Sequence, residues 1–214
     1  MDWFIVLAPG LLLFAVIGGL VLRSRQRQQE LEAGIEAKGW RMVRQSRGFD
    51  VEGGDLVPWQ MRVRRSSGSS SSSSSSTTLW EIPAPPSDAV VLFGPKLPMA
   101  LPSLGGSLVQ FALRAILGDE AADLADAREV QVGSPAFRES FSVISSDPQL
   151  AEQLLTAEVE EALQACPLSK VAVLRWRDRL QVRLTYALWT LDEITQLEAL
   201  GQVLATVDRE VEGA

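Results

Sequence analysis

Apolar and polar residues are distributed unevenly along the chain, and the first segment shows this most clearly. Trp3–Leu22 contains no charged side chain, and Arg23, Arg25 and Arg27 follow it directly. At about 1.5 Å per residue, a helix of about twenty residues spans about 30 Å, which is the hydrocarbon thickness of a bilayer. The pattern therefore predicts a single transmembrane anchor within residues 1–22.

The position of the charges distinguishes this anchor from a cleaved signal peptide. A signal peptide carries basic residues before a core of about 7–15 apolar residues and ends at a small-residue cleavage site. Here the arginines follow a longer core, and no such cleavage motif comes after it. The positive-inside rule then predicts a single-pass protein of the bacterial inner membrane, with its N-terminus outside and the remaining chain in the cytoplasm. Ala15 and Gly19 form one small-xxx-small spacing, through which anchor helices self-associate weakly.

After a juxtamembrane helix or linker over residues 23–39, the pattern changes to short alternating segments and apolar stripes, which predict a soluble domain over residues 40–209. Strands are predicted over residues 40–43, 57–65, 77–83, 89–94, 128–132, 137–144, 171–176 and 179–188. Helices are predicted over residues 108–117 and 120–127. A third begins with Asp147 as its cap and Pro148, is recapped at Thr156 and ends near Cys166, and a fourth begins at a capping box formed by Thr190 and Glu193. Turns are predicted over residues 48–55 and 84–88. Hairpins dominate this order, including one across Arg177-Asp178, and the alternation of a parallel sheet is absent. The sequence therefore predicts an α+β fold, an antiparallel sheet with helices packed on one face.

One predicted hairpin, over residues 57–83, has a low-complexity tip at Ser66–Ser76. Eight consecutive serines begin at Ser69. Such a segment cannot bury enough apolar surface to offset the entropy of ordering it, so this loop is predicted to be disordered.

Composition narrows the chemistry that this chain can perform. It has one Cys and no His, so Ser-His-Asp and Cys-His mechanisms and His-bearing zinc sites are unavailable within it. Cys166 precedes Pro167 at a predicted helix end, a position that favours a buried structural thiol over a nucleophile. No glycine-rich phosphate-binding motif occurs. We therefore expect no cofactor, and a non-enzymatic role is favoured over catalysis.

Charge is divided between the two halves of the chain. Residues 1–117 carry 12 basic and 9 acidic side chains, whereas residues 118–214 carry 8 and 18. An acidic distal half repels phosphate backbones and anionic lipid headgroups, so neither nucleic acid nor an anionic lipid surface is an expected partner of that half.

Three groups of residues are candidates for a site. Asp119, Asp123 and Asp126 would share a helix face and could supply oxygens to a hard cation, but a solvated acidic face is the favoured interpretation. Four arginines of the last hairpin could bind a phosphate or an acidic partner, but cross-strand pairing with Glu is favoured. Tryptophans in or beside strands are expected to be core residues rather than ligand-stacking ones. The arginines are Arg175, Arg177, Arg179 and Arg183, and the tryptophans are Trp40, Trp59, Trp80, Trp176 and Trp189.

The stretch FSVISSDPQLAEQLLT at residues 141–156 carries the pattern F-x-V-x-S-x-D followed by A-x-x-L-L-T. The matching residues are Phe141, Val143, Ser145, Asp147, Ala151, Leu154, Leu155 and Thr156. This pattern resembles one found in bacterial single-pass membrane-anchored proteins of unknown function. The resemblance implies a membrane-anchored bacterial protein and no catalytic activity.

These patterns together lead to one functional expectation and two alternatives. We expect a membrane-tethered cytoplasmic domain that contacts the bilayer through residues 3–22 and binds an unknown protein partner or supports an envelope assembly. The alternatives are a carboxylate- or metal-dependent hydrolase and a lipid-binding domain.

Overall fold

The structure is a computed structural model that describes residues 22–23, 25–54, 57–67, 74–96 and 126–213. Within these ranges no helix is both long and apolar enough to cross a membrane. The predicted anchor lies outside the described residues except for Leu22, and Ala15 and Gly19 lie outside them too. The same holds for Asp119, Asp123 and the predicted helix over residues 108–117.

The described part of the chain forms one antiparallel sheet and five helices. The strands are β1 (Arg41–Gln45), β2 (Gly48–Gly53), β3 (Trp59–Ser67), β4 (Ser74–Pro95), β5 (Arg128–Val130), β6 (Phe141–Ser145) and β7 (Ala172–Leu184). The helices are α1 (residues 25–37), α2 (Pro135–Ser140), α3 (Pro148–Leu154), α4 (Ala157–Ala165) and α5 (Leu191–Gly213). The predicted α+β fold with an antiparallel sheet is confirmed.

The long strand β4 organises the sheet. The strand order is β1-β2-β3-β4-β6-β5, and β7 also pairs with β4. The first half of β4 lies between β3 and β7, and its second half lies between β6 and β7. β7 therefore runs along one edge of β4, while β3 and β6 share the other edge.

The core lies between one side of this sheet and the helices. Alternating residues of β3, β4 and β7, including Trp59, Trp80 and Val182, are 0–1% exposed on that side. The buried apolar residues of all five described helices belong to the same cluster. A smaller cluster that includes Val90 and Leu174 lies on the opposite side, at the second half of β4. The described helices therefore cover one side of the sheet, as the sequence predicted.

Several predicted helix starts are confirmed by their caps. The Asp147 carboxylate accepts hydrogen bonds from the backbone N–H groups of Gln149 and Leu150 at 2.9 and 3.2 Å, with Pro148 following it. The Thr156 hydroxyl accepts from the N–H of Val159, so the chain is recapped there as predicted. These side chains satisfy N–H groups that the first helical turn leaves unpaired.

The capping box predicted at the start of α5 is present as well. The Glu193 N–H donates to the Thr190 hydroxyl at 3.3 Å, and the Glu193 carboxylate accepts from the Thr190 N–H at 3.1 Å. This reciprocal pair fixes where α5 begins.

Two predicted elements were wrong. Residues 48–53 form strand β2 rather than a turn, because Phe49 and Val51 are buried and alternate with polar residues. The segment predicted as one strand over residues 137–144 begins instead as helix α2. The Ser134 hydroxyl caps that helix by accepting from the Phe137 N–H at 3.2 Å.

The turns predicted inside β4 and β7 were also wrong. Residues 84–88 lie within the continuous strand β4, and Arg177-Asp178 lies within β7. The register between the two strands shifts on either side of Ser87. The prolines are accommodated at this irregularity, where the ladder is already broken, instead of ending the strand.

Strand pairing continues into the serine-rich stretch. Ser66 pairs with Ser75, and Ser67 pairs with Ser74. Residues 68–73, the centre of the predicted disordered loop, lie outside the described residues.

Candidate functional site

The side of the sheet opposite the helices carries polar residues on β3, β4 and β7. We call this set the polar face; it consists of Gln60, Arg62, Glu81, Arg179, Gln181 and Arg183. Successive side chains of a strand point to opposite sides, so each of these residues alternates with a core residue. No described helix buries its apolar side here.

Glu81 is the buried centre of the polar face. Its side chain is 10% exposed, and Arg62 Nη2 donates a hydrogen bond to its Oε1 atom. Its Oε2 atom accepts from Gln181 Nε2 at 3.2 Å and lies 3.8 Å from Arg179 Nη1. A buried carboxylate requires such partners, and in return it fixes the position of the Arg62 guanidinium. Arg179 is also close to Asp178, with 3.6 Å between Arg179 Nε and Asp178 Oδ1.

The irregularity between β4 and β7 borders this network. The strands pair at Pro83↔Arg179 and again at Ser87↔Arg177, so three residues of β4 lie opposite Asp178 alone. Arg177 has a positive φ of 53°. Residues other than glycine rarely adopt this backbone conformation, so the surrounding structure must hold Arg177 in place.

Arg175 supplies that support from the core side. Its Nε donates to Asp208 Oδ1 of α5 at 2.7 Å, and both side chains are 5% exposed. Its Nη1 donates to the Arg177 carbonyl oxygen at 2.7 Å, and its Nη2 donates to the Pro85 carbonyl oxygen. One buried guanidinium therefore ties both strands of the irregularity to α5.

A cleft opens on the polar face beside this irregularity. Its volume is about 400 Å³, and its lining includes Gln60, Arg62, Glu81, Pro83 and Arg179. A second cavity of about 130 Å³ shares Asp178 and Arg179 with it and adds Trp176 and Arg177. We call the two together the bulge cleft.

The bulge cleft is suited to binding a carboxylate-bearing segment. The side chains of Arg62 and Arg179 are 41% and 56% exposed. Each guanidinium has five N–H donors, more than Glu81 occupies. The Arg177 guanidinium lies 4.2 Å from the centroid of the Trp176 ring, which presents a flat surface at the same place.

Of the candidate residues from the sequence, the structure brings Trp176, Arg177 and Arg179 together at the bulge cleft. Among the residues that the structure describes, no group of three His, Cys, Asp or Glu side chains is arranged to hold a metal ion. Asp126 is exposed, and so are Arg23, Arg25 and Arg27. The metal hypothesis depends on Asp119 and Asp123, so it stays a prediction.

The four arginines of β7, where the sequence predicted a hairpin, have different roles. Arg175 pairs with Asp208 rather than with a cross-strand Glu, whereas Arg179 does approach Glu81 across the strands. Arg183 donates to Gln181 on its own strand at 2.7–3.0 Å. The predicted cross-strand pairing with Glu is therefore observed for Arg179.

Cys166 is half-buried at the end of α4. Burial raises the pKa of its thiol, and a backbone hydrogen bond with Leu168 offsets part of that rise. A raised pKa keeps the thiol protonated near neutral pH, which makes it a poor nucleophile. This agrees with the structural role expected from its sequence position.

The tryptophans are less uniform than the sequence predicted. Trp59 and Trp80 are 1% and 0% exposed and lie in the core. Trp40 and Trp176 are partly buried, but Trp189 is 42% exposed, so its predicted core position was wrong.

Two acidic residues, Glu81 and Asp208, were missed at the sequence level. Glu81 is a polar position in the strand alternation of residues 77–83, where its burial gives no signal. Arg175 interrupts the apolar run VAVLRW, and Asp208 follows the apolar stripe of α5. A charge inside an apolar run is a signal of a buried ion pair, since an unpaired buried charge is too costly.

No protein-family model matches the chain, and no curated protein matches it in sequence. Among solved structures, the chain is similar to the crystal structure of the mycobacterial trehalose monomycolate transport factor A, TtfA. The TM-score is 0.48 at 10% sequence identity, and the alignment covers 84% of this chain and 96% of that chain.

Proposed function

We propose that this chain is a membrane-tethered, non-enzymatic binding module whose bulge cleft holds a segment of a partner protein. The observation that carries the proposal is the pair of partly exposed guanidinium groups of Arg62 and Arg179, which the carboxylates of Glu81 and Asp178 hold at the cleft. Preorganised side chains bind with a smaller entropic cost than mobile ones. This is the arrangement of a recognition surface.

The partner segment should carry a carboxylate, either an acidic side chain or a chain terminus. Three arginines of the bulge cleft, Arg62, Arg177 and Arg179, outnumber its acidic residues, Glu81 and Asp178. This local excess of positive charge occurs in a chain whose net charge is −7. Charge complementarity of this kind selects partners and speeds association.

The charges of the cleft favour a peptide over a lipid chain. An acyl chain would remove water from Arg62, Glu81, Asp178 and Arg179 without offering hydrogen bonds in return. A peptide offers both backbone groups and polar side chains. The lipid-binding and hydrolase alternatives have no comparable arrangement among the described residues.

The tether is the second part of the proposal. The uncharged stretch Trp3–Leu22 and the arginines after it support an anchor in a bacterial inner membrane, with the domain in the cytoplasm. A tether raises the effective concentration of the domain at the membrane, so a modest affinity for a membrane-associated partner is sufficient.

The proposed cleft predicts a loss of binding when its two exposed arginines lose their charge. In cells, a proximity-labelling enzyme fused after Ala214 should mark a defined set of proteins. With Arg62→Gln and Arg179→Gln together, we expect the marking of the true partner to fall at least about tenfold, because charge-assisted hydrogen bonds contribute about 1.5–3 kcal/mol each. Mass spectrometry of the marked proteins measures this.

The matched control is Arg41→Gln with Arg209→Gln, which removes two exposed charges outside the cleft. This variant should mark the same partner as the unmodified chain. Equal marking by all three chains would exclude the bulge cleft as the binding surface.

The tether predicts that orientation depends on the arginines. The unmodified chain should remain in the membrane after alkaline carbonate extraction. In a Cys166→Ser background, the thiol introduced by Gln164→Cys at an exposed position should be unreachable by membrane-impermeant maleimide from outside the cell. Replacing Arg23, Arg25 and Arg27 with Glu should place part of the population in the opposite orientation, because basic residues next to a span set its topology. Complete extraction of the unmodified chain by carbonate would contradict the tether.

A further inference from the structure

A second surface, at one end of the sheet, is formed by Trp189 and two arginines. Trp189 and Leu22 are the exposed large hydrophobic residues in the described part of the chain, at 42% and 64%. The Arg65 guanidinium lies 5.3 Å from the centroid of the Trp189 ring, and Arg47 lines the same cavity beside it. We call Arg47, Arg65 and Trp189 the Trp189 patch.

Topology places this patch at the end of the domain where the chain arrives from the apolar stretch. β1 runs from Arg41 towards the Ser46-Arg47 turn, and α1 precedes β1 in the chain. A cavity of about 240 Å³ is lined by Gln28 and Leu31 of α1 together with Ser46 and Trp189. The first turns of α1 therefore lie beside the patch, and its last turn lies away from it.

The distance from the apolar stretch to the patch is short. Gln28 is six positions after Leu22, which corresponds to about 9 Å in a helix and at most about 20 Å in extended chain. The polar headgroup layer extends about 5–8 Å beyond the hydrocarbon on each side of a bilayer. An anchored domain would thus hold the Trp189 patch within reach of the headgroups.

Most acidic residues near the patch are already engaged. The Glu193 carboxylate accepts hydrogen bonds from the Trp189 and Thr190 N–H groups at 3.0 and 3.1 Å. Glu32 pairs with Arg44, and Asp50 pairs with Arg64. Two other acidic residues, Glu30 and Asp192, are exposed. They are outnumbered by four exposed arginines, which are Arg25, Arg27, Arg47 and Arg65.

We propose that the Trp189 patch docks on the surface of an anionic lipid bilayer and so fixes the orientation of the tethered domain. Tryptophan favours the membrane interface because one part of its ring system is apolar and its N–H is polar. The arginines add electrostatic attraction to anionic headgroups, because each basic residue near the surface contributes favourably to the binding free energy. Docking in this way leaves the bulge cleft to be presented at a fixed orientation to a partner.

This inference rests on the proposed tether, and the experiment separates the two. The full chain with Cys166→Ser is reconstituted into vesicles of phosphatidylcholine, alone or with one third phosphatidylglycerol. An environment-sensitive fluorophore is attached to Ser46→Cys at the patch or, as the control, to Glu36→Cys at the far end of α1. Flotation measures tethering, and quenching by aqueous acrylamide measures whether the fluorophore contacts lipid.

The expected result is that the chain floats with both kinds of vesicle and that only the Ser46→Cys fluorophore is protected, and only with phosphatidylglycerol. Trp189→Ala should remove the protection. Arg47→Gln and Arg65→Gln should each lower the docked-to-free ratio about fivefold, whereas Arg41→Gln and Arg209→Gln should leave it unchanged.

Three other results have distinct meanings. A chain that floats with both vesicles but shows equal quenching at Ser46→Cys in both overturns the docking surface and leaves the tether intact. A chain that floats only with phosphatidylglycerol, with protection at Ser46→Cys, overturns the tether and supports the patch. A chain that floats with neither overturns both.

Discussion

Replacing Asp208 with alanine is expected to lower the free energy of unfolding by about 3–5 kcal/mol, because it leaves a buried guanidinium without its carboxylate. Arg175 and Asp208 are each 5% exposed and their Nε and Oδ1 atoms are 2.7 Å apart. In a domain of this size each kcal/mol shifts the melting temperature by about 2–4 °C, so a fall of about 10 °C should follow. Thermal unfolding monitored by circular dichroism measures it.

Arg209→Ala is the matched control, since Arg209 is the next residue of α5 and is exposed. Its melting temperature should stay within about 2 °C of the unmodified chain, as is usual for surface substitutions. Replacing Arg175 with Met and Asp208 with Leu together should recover most of the loss, because no buried charge then remains. If Asp208→Ala and Arg209→Ala melt at the same temperature, the buried pair does not hold α5 against β7.

Gly201→Ala should lower the free energy of unfolding by about 1–3 kcal/mol, although alanine is the better helix former. A Cβ atom at Gly201 would lie 2.4 Å from two carbon atoms of the Trp80 ring. That ring is 0% exposed and rigid, so it cannot move aside without displacing other core residues. Steric overlap therefore outweighs helix propensity at this position.

The same helix provides the control. A Cβ at Gly213 would meet no atom within 4 Å. Gly213→Ala should leave the midpoint of urea unfolding unchanged or raise it slightly, while Gly201→Ala lowers it. Equal midpoints for the two variants would show that α5 does not pack on Trp80 as closely as described.

Local signals in the sequence were sufficient for the helix starts and the overall fold class. Two helix caps were recognisable in the sequence, because their hydrogen bonds form within one turn. One is at Ser145-Ser146-Asp147-Pro148, and the other is the capping box of Thr190 and Glu193. The alternation around Trp59, Trp80 and Val182 likewise identified one buried side of the sheet. These features depend on neighbours within about four residues, so the sequence contains them directly.

Long-range strand pairing explains why some elements were predicted wrongly from the sequence. Prolines at residues 83–86 and the polar pair Arg177-Asp178 are ordinary turn signals. They become a bulge because β4 and β7 continue to pair on both sides, and because Arg175 holds the carbonyl groups of Pro85 and Arg177. No local pattern reveals that these two segments face each other.

The candidate site was predictable only in part for the same reason. The arginines of β7 were recognised as a possible anion site, but Glu81, the buried carboxylate that Arg179 approaches across the strands, is far away in sequence. Trp189 follows an apolar strand and so has the local pattern of a core residue. It lies instead in the connection between β7, which ends at Leu184, and the cap of α5 at Thr190, where strand alternation does not apply.

A photo-crosslink from the bulge cleft in living cells tests most directly whether this cleft binds a partner protein. A photoreactive amino acid is placed at Gln60, in the cleft, or at Gln164, an exposed residue of α4 on the helix-covered side. If the cleft binds a partner, the photoreactive residue at Gln60 should capture one discrete protein, and this product should disappear with Arg62→Gln and Arg179→Gln. The photoreactive residue at Gln164 should capture none. A partner captured from Gln164 and not from Gln60 would contradict it.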